Sequence, residues 1–252
     1  MSLTAIVSDI HGNLPALEAV LADADESGAV RTWCLGDVVG YGAHPIECLE
    51  LLLQREAVII RGNHEQAIID GPFGFNPLAA AAIDWTHTRL ERQPERLDYI
   101  RNLPDRHLEK EAILVHGSPA SPVDEYLFRE ETLDHLPRNR DFSPKLARSF
   151  RLIDRPCFVG HTHVPGAINS DMTWTDPSAC GHEYDTGGLR CIVNVGSVGQ
   201  PRDGDVRASY ALFDGQTITW RRVRYDVESA ARSIFAVPEL PDPLGQRLLE
   251  GW

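Results

Sequence analysis

Leu3-Thr4-Ala5-Ile6-Val7-Ser8-Asp9-Ile10-His11-Gly12-Asn13 joins an apolar run of β-forming residues to an Asp-x-His pair. The run is short and continuous, as a strand buried on both faces requires. Leu14, Leu17, Val20 and Leu21 follow at helical spacing. The alternation then repeats. Thr32–Leu35 reads as a strand ending at Gly36-Asp37, and His44–Leu53 as a helix with Pro45 in its first turn. Ala57–Ile60 reads as a strand ending at Arg61-Gly62-Asn63-His64. Strand, helix, strand, helix, strand predicts right-handed crossovers and a largely parallel sheet.

Further along, Pro77–Arg92 and Pro94–Asn102 read as helices. Glu111–Val115 reads as a strand running into His116-Gly117, and Cys157–Val159 as a strand running into Gly160-His161-Thr162-His163. Residues 119–150 carry Pro119, Pro122, Pro137 and Pro144 among many charges and suggest an insertion or cap with short helices. Mostly antiparallel strands are expected after that: Gly166–Trp174, Cys191–Val195, Ala208–Phe213 and Thr217–Arg224, the last two joined by a tight turn at Asp214-Gly215. Asp226–Phe235 reads as a final helix, and the proline-rich tail after Val237 as a surface strap. One domain over 1–252 is expected, with cap-like insertions around 71–104 and 119–150.

Every unusual polar cluster sits where a strand ends, the place where functional groups gather in open α/β sheets. Asp9 and His11 are two residues apart, so on extended backbone they face one side, and His161 and His163 repeat that spacing. Five of the ten histidines fall in these blocks, while His44, His87, His107, His135 and His182 do not. Asp, Asn and His form a borderline-hard donor set suited to Mn, Fe, Co, Ni or Zn. No cysteine joins them, which argues against a closed structural zinc site. Asp9, His11, Asp37, Asn63, His116, His161 and His163 are too many ligands for one four-coordinate ion. They suit two divalent ions roughly 3.5–4 Å apart that share a carboxylate.

Composition sets limits around this reading. Lys and Arg number 24 against 37 Asp and Glu, a net charge of −13. Such a chain gains no general attraction to nucleic acid or to an anionic membrane, so an anionic substrate needs a local positive centre. Two divalent ions less two aspartates leave about +2 at the cluster. Five cysteines without a CxxC pair point to a reducing compartment. No apolar run reaches the roughly 20 residues of a membrane span. Asp9 comes too early for a signal peptide, so a cytoplasmic location is expected.

The order D-x-H, G-D, G-N-H, H-G, G-H-x-H resembles the calcineurin-like metallophosphoesterase superfamily, and in particular its compact bacterial phosphodiesterases. The resemblance implies an α/β four-layer sandwich, two mixed β-sheets flanked by helices with a small helical cap. It assigns Asp9, His11, Asp37 and His163 to one ion and Asp37, Asn63, His116 and His161 to the other, with Asp37 bridging. It implies phosphoester hydrolysis by attack of a hydroxide held between the ions. His64 is the expected catalytic group, helping the leaving group or orienting the phosphoryl oxygens. Arg61 either binds phosphate through its planar fork or forms a salt bridge at the strand end. Asn13 either lines the cleft or caps the first helix, and Arg202, in the loop Asn194–Arg202, either reaches substrate or serves its own loop.

The protein phosphatase branch fits less well. Where that branch carries G-D-x-V-D-R-G, this chain reads Gly36-Asp37-Val38-Val39-Gly40-Tyr41-Gly42. Gly40 replaces the acid that would orient the histidine, and Tyr41 replaces a phosphate-gripping arginine. A small, nucleotide-like phosphorylated substrate is therefore expected. Dinucleoside polyphosphate hydrolysis, protein phosphatase activity and a protein-binding scaffold are the alternatives. The last is disfavoured because scaffold relatives lose ligands, whereas all seven positions are present here.

Overall fold

The computed structural model describes residues 2–136 and 143–252. Two six-stranded mixed sheets pack face to face. The first contains β1 (Thr4–Val7), β2 (Arg31–Cys34), β3 (Val58–Ile59), β9 (Glu183–Asp185), β11 (Ala208–Phe213) and β12 (Thr217–Val223), in the order β3-β2-β1-β11-β12-β9. The second contains β4 (Arg106–Leu108), β5 (Ile113–Val115), β6 (Cys157–Val159), β7 (Gly166–Ile168), β8 (Trp174–Thr175) and β10 (Ile192–Asn194), in the order β4-β5-β6-β10-β7-β8. β1, β2 and β3 run parallel, as do β5, β6 and β10.

Strand alternation sorts side chains into layers. Ile6, Trp33, Leu114, Phe158, Val193, Ala211 and Phe213 meet between the sheets. Their sequence neighbours point outward. Ala5, Val7, Cys34, Tyr210 and Leu212 pack under α1 (Leu14–Glu26) and α2 (Pro45–Gln54), against Leu17, Val20, Leu49 and Leu52. Ile113, Val115, Cys157 and Val159 pack under α6 (Pro144–Arg151), against Leu146 and Phe150. Helix, sheet, sheet, helix is the four-layer sandwich that the resemblance implies.

Several elements depart from the sequence reading. Asn63–Asp70 is a helix, α3, where only a loop motif is legible. The stretch Gly166–Trp174 is not one strand. It turns at Asn169–Thr173, where Asp171 caps the N–H of Thr173, and returns as β8. The proline-rich tail is not a strap. After α7 (Val227–Phe235) it forms α8 (Asp242–Glu250), which sets Leu244 and Leu248 against Ala230 and Ile234. Proline is tolerated there because Pro243 lies in the first turn, where no intrahelical N–H is missed.

α4 (Pro77–Leu90) and α5 (Pro94–Arg101), within the segment 71–104, bury Ile83, Leu90 and Ile100 in the first core. The expected cap at 119–150 contributes α6 to the outer layer, and its residues 137–142 lie outside those described. All five cysteines are free thiols. Among the described residues, no helix is long and apolar enough to cross a membrane.

Candidate metal centre

The loops after β1, β2, β3, β5 and β6 converge at one end of the sandwich. The first two are laced together by backbone: Asp9 N–H donates to Gly36 O at 3.1 Å, His11 N–H to Asp37 O at 2.8 Å and Gly12 N–H to Val38 O at 2.9 Å. The turns needed are tight. Asp9, His11, Asp37, His161 and His163 all have φ between +50° and +67°, a left-handed conformation that is uncommon outside glycine. Gly62 is required for a different reason, since a Cβ there would fall on the Asp37 carboxylate.

Seven side chains meet in two groups. In one, His163 Nε2 lies 3.2 Å from Asp9 Oδ1 and 3.2 Å from His11 Nε2. In the other, His116 Nε2 lies 3.1 Å from Asn63 Oδ1 and 3.1 Å from His161 Nδ1. Asp37 stands between them. Its Oδ1 accepts from His64 N–H at 2.9 Å, while Oδ2 lies 3.7 Å from His11 Nε2 and 3.4 Å from His116 Nε2.

The tautomers show what these atoms lack. His11 Nδ1 faces Val39 O at 3.3 Å, His116 Nδ1 faces Leu35 O at 2.9 Å and His163 Nδ1 faces Gln200 O. His161 is reversed, with Nε2 facing Asp124 O at 3.2 Å. A carbonyl only accepts, so each of these nitrogens carries the ring proton. The nitrogens turned inward are then lone pairs. Lone pairs 3.2 Å apart make no hydrogen bond, and a neutral His116 meets only acceptors, Asn63 Oδ1, Asp37 Oδ2 and His161 Nδ1. A cation among each group satisfies every one of these atoms, with the outer nitrogens held as ligating histidines usually are. The residues fit a metal pair.

Proton energetics agree with that demand. Burial pushes the carboxyls of Asp9 and Asp37 up, but the imidazoles of His163 and His116 hold both well below the usual range. Burial pushes His11 and His163 down, His64 to about 4 and His161 to about 3. His116 is the exception: burial lowers it, but Asp37 lifts it to about 9. Without cations, the proton on His116 faces the Asp37 carboxylate at 3.4 Å.

Glu65 completes the scaffold, and its role is not apparent from motif spacing. Its buried carboxylate accepts from the backbone N–H groups of Asp37 (2.7 Å), Val38 (2.8 Å), Val39 (3.2 Å) and Gly62 (2.9 Å). It is the third residue of α3, and the bond to Gly62 is half of a capping box, which a Gly-x-x-Glu spacing could have signalled. Burial and then Asp37 lift its carboxyl to about 7.

The remaining candidates divide. His64 lines a cleft of about 290 Å³ over the clustered donors. Its Nδ1 is buried without a partner, packed where a Cβ on Gly40 would fall. Its ring meets Phe75 edge-on at 5.3 Å and Tyr41 at 4.5 Å. Arg202 also lines the cleft, with its guanidinium held by Gln200 Oε1 at 2.8 Å. Arg61 does not line it. Its guanidinium turns away onto Arg101 O and Leu103 O, both at 2.9 Å, and pairs with Asp105 at 3.2 Å. Nor does Asn13, whose amide caps Ala16 N–H at 3.2 Å and donates to Gly199 O at 2.9 Å. Phe75, Asp124 and Tyr126 line the cleft without a sequence motif to announce them, beside Tyr41.

Comparisons with known proteins follow the same residues. The family model described as calcineurin-like phosphoesterase matches residues 3–165. The protein MJ0912 of Methanocaldococcus jannaschii, described as uncharacterized, is 36% identical over 99% of this chain and 98% of its own length. Phosphodiesterase YfcE of Escherichia coli K12 is 32% identical over 47% of this chain and 69% of its own. The crystal structure of a metallophosphoesterase from Sphaerobacter thermophilus superposes with a TM-score of 0.83 at 39% identity, covering 100% of this chain and 99% of that one.

Proposed function

Because the chain belongs to the calcineurin-like phosphoesterase family and is thus a metal-dependent phosphoester hydrolase, we propose that it cleaves a small phosphodiester at a two-ion centre. Asp9, His11, Asp37 and His163 hold one divalent ion, and Asp37, Asn63, His116 and His161 the other. The observation that carries this reading is the convergence of donors on both sides of Asp37, with Asp9, His11 and His163 on one side, His116 and His161 on the other, and His64 close to His11 and Asp37. Ions bound there supply the positive charge that holds phosphoryl oxygens and lower the pKa of water.

The chain's own groups do the rest. His64 keeps a neutral ring at pH 7, with Nδ1 shut away, and presents its other nitrogen to phosphoryl oxygens as an orienting donor rather than an acid. Arg202 brings a guanidinium to the cleft from the loop facing Tyr41, beside the tyrosine hydroxyl. Its one fork partly replaces the arginine missing at position 41. A diester carries one charge fewer than a monoester and asks for less neutralisation. Phe73, Phe75 and Asn76, from the segment 71–76, stand at the cleft with Tyr126 facing them. A folded phosphoprotein would have to pass that lip.

The test is purified enzyme with Mn, and separately with Co or Ni, on matched nitrophenyl diester and monoester and on a phosphopeptide. We expect kcat/KM for the diester to equal or exceed that for the monoester, with the phosphopeptide poorest. A strong preference for the phosphopeptide overturns the reading.

A further inference from the structure

The metal cleft has a side door. Tyr126 forms its wall next to His161, stacking on that imidazole with centroids 3.6 Å apart and planes 15° apart. Phe128 continues the column, 5.2 Å from Tyr126 and 6° from parallel. Beyond this column lies a second cavity of about 500 Å³. Phe128 and Tyr126 line it with Trp174 and Val164, and so do charged residues, among them Arg129, Glu130 and Arg202. Tyr126 and Arg202 border both cavities, so the two are neighbours.

The two spaces divide the work by position. The first holds the clustered imidazoles and Asp37, where a phosphoryl group would sit. The second sets the rings of Tyr126, Phe128 and Trp174 beside the charged side chains of Arg129, Glu130 and Asp203. Its volume is in the range of pockets that hold small organic ligands, roughly 300–1,000 Å³. Phe128 is 45% exposed although it is apolar, and exposed aromatic rings beside a phosphate site are what a base can stack on. Arg202 stands at the junction, where a phosphate would pass into its substituent.

We propose that the second cavity is the subsite for one ester substituent of the substrate, and that this substituent is a nucleoside. Its base lies against the aromatic wall, and Arg202 contacts the phosphate that links it to the metal centre. The proposal rests on the phosphodiesterase reading for its chemistry, but the subsite can be measured as binding alone.

Equilibrium dialysis of Mn-loaded protein with thymidine 5′-monophosphate and with 2-deoxyribose 5-phosphate isolates the base, because the two share sugar and phosphate. The base-bearing ligand should bind about tenfold more tightly, or 1.4 kcal/mol. In Phe128→Ala that ratio should fall to about 2, and Trp174→Leu, altered on another wall, should lower it as well. Equal Kd values for the two ligands overturn the subsite whether or not the enzyme turns over a diester. A ratio near ten that both variants retain places the base elsewhere and overturns it too. Tenfold discrimination with no turnover of any diester leaves the subsite standing and sinks the phosphodiesterase reading instead.

Discussion

The carboxylate of Glu65 accepts the backbone N–H of Asp37 at 2.7 Å. The same carboxylate takes the two N–H groups that follow and that of Gly62, so one buried side chain clamps the β2 loop to the start of α3. Asp37 and Asn63 are therefore positioned by a residue that ligates nothing. Glu65→Gln keeps the size but turns an amide N–H₂ toward N–H donors. It should cost about 2 kcal/mol, a fall of roughly 4–8 °C in Tm for a chain of this size. Bound metal and kcat should fall together. Thermal unfolding and metal analysis check this, and an unchanged Tm refutes the clamp.

Asp37 Oδ2 faces histidines of both groups, whereas His163 faces only one. Asp37→Asn should therefore lower the occupancy of both ions, and His163→Asn should mainly empty one. Elemental analysis after dialysis against a fixed Mn concentration reads the stoichiometry. Two ions retained in Asp37→Asn would show that the carboxylate does not bridge.

His64 lines the cleft near His11 and Asp37, in a group that could itself hold an ion, but the proposed assignment gives it none. His64→Ala should keep normal metal content and lose 10²–10³-fold in kcat, about what removing a preorganised donor costs. The ring stays neutral at pH 7, so the loss should be similar for nitrophenolate and alkoxide leaving groups. A loss confined to poor leaving groups would show that His64 acts as an acid.

The metal-free protein should show a stability maximum near pH 6.5–7. His11, His64, His161 and His163 are held below 6.5, chiefly by burial, with His64 at about 4 and His161 at about 3. Below pH 6.5 the unfolded chain takes up protons that the folded chain refuses, so stability drops toward pH 4. Glu65, lifted from 4.5 to about 7, works the other way in that range, one group against four. His116, at about 9, keeps a proton that the unfolded chain sheds above 6.5, so its contribution is lost as the pH rises through 9. Denaturant midpoints from pH 4.5 to 9 trace both limbs. Ions displace the His116 proton, so calorimetric uptake at pH 7.5 should release about one proton per site pair. An uptake heat independent of buffer would refute this.

The convergence of the seven candidate ligands was legible because each motif is local: a strand end, a glycine, and a donor within two or three residues. Asn13 and Arg61 sit in the same motifs, yet their side chains are committed elsewhere. Asn13 takes the helix-cap role that was one of its two readings, on Ala16 N–H, while Arg61 finds its acceptors at Arg101 and Leu103 and Asn13 a further one at Gly199, pairings that only the tertiary fold creates. The tail after Val237 misled for a similar reason. Its prolines argue against a helix until Pro243 is seen to fall in a first turn, with Leu244 and Leu248 one helical turn apart. The aromatic side cavity was invisible because Tyr126, Phe128 and Trp174 share no periodicity and meet only when the loop before α6 lies beside β8.

The left-handed backbone at Asp9, His11, Asp37, His161 and His163 gives the chain an evolutionary bias. An L-residue in that conformation costs roughly 1–2 kcal/mol, and less for Asp, and on the proposed reading selection for catalysis is what keeps five of them. A lineage freed from that selection would drift toward asparagine or glycine at these positions. It would shed buried charge and backbone strain together and melt higher than its working ancestor, as expected where activity and robustness are opposed. In such a lineage, unusual thermal stability would mark a copy that had stopped working.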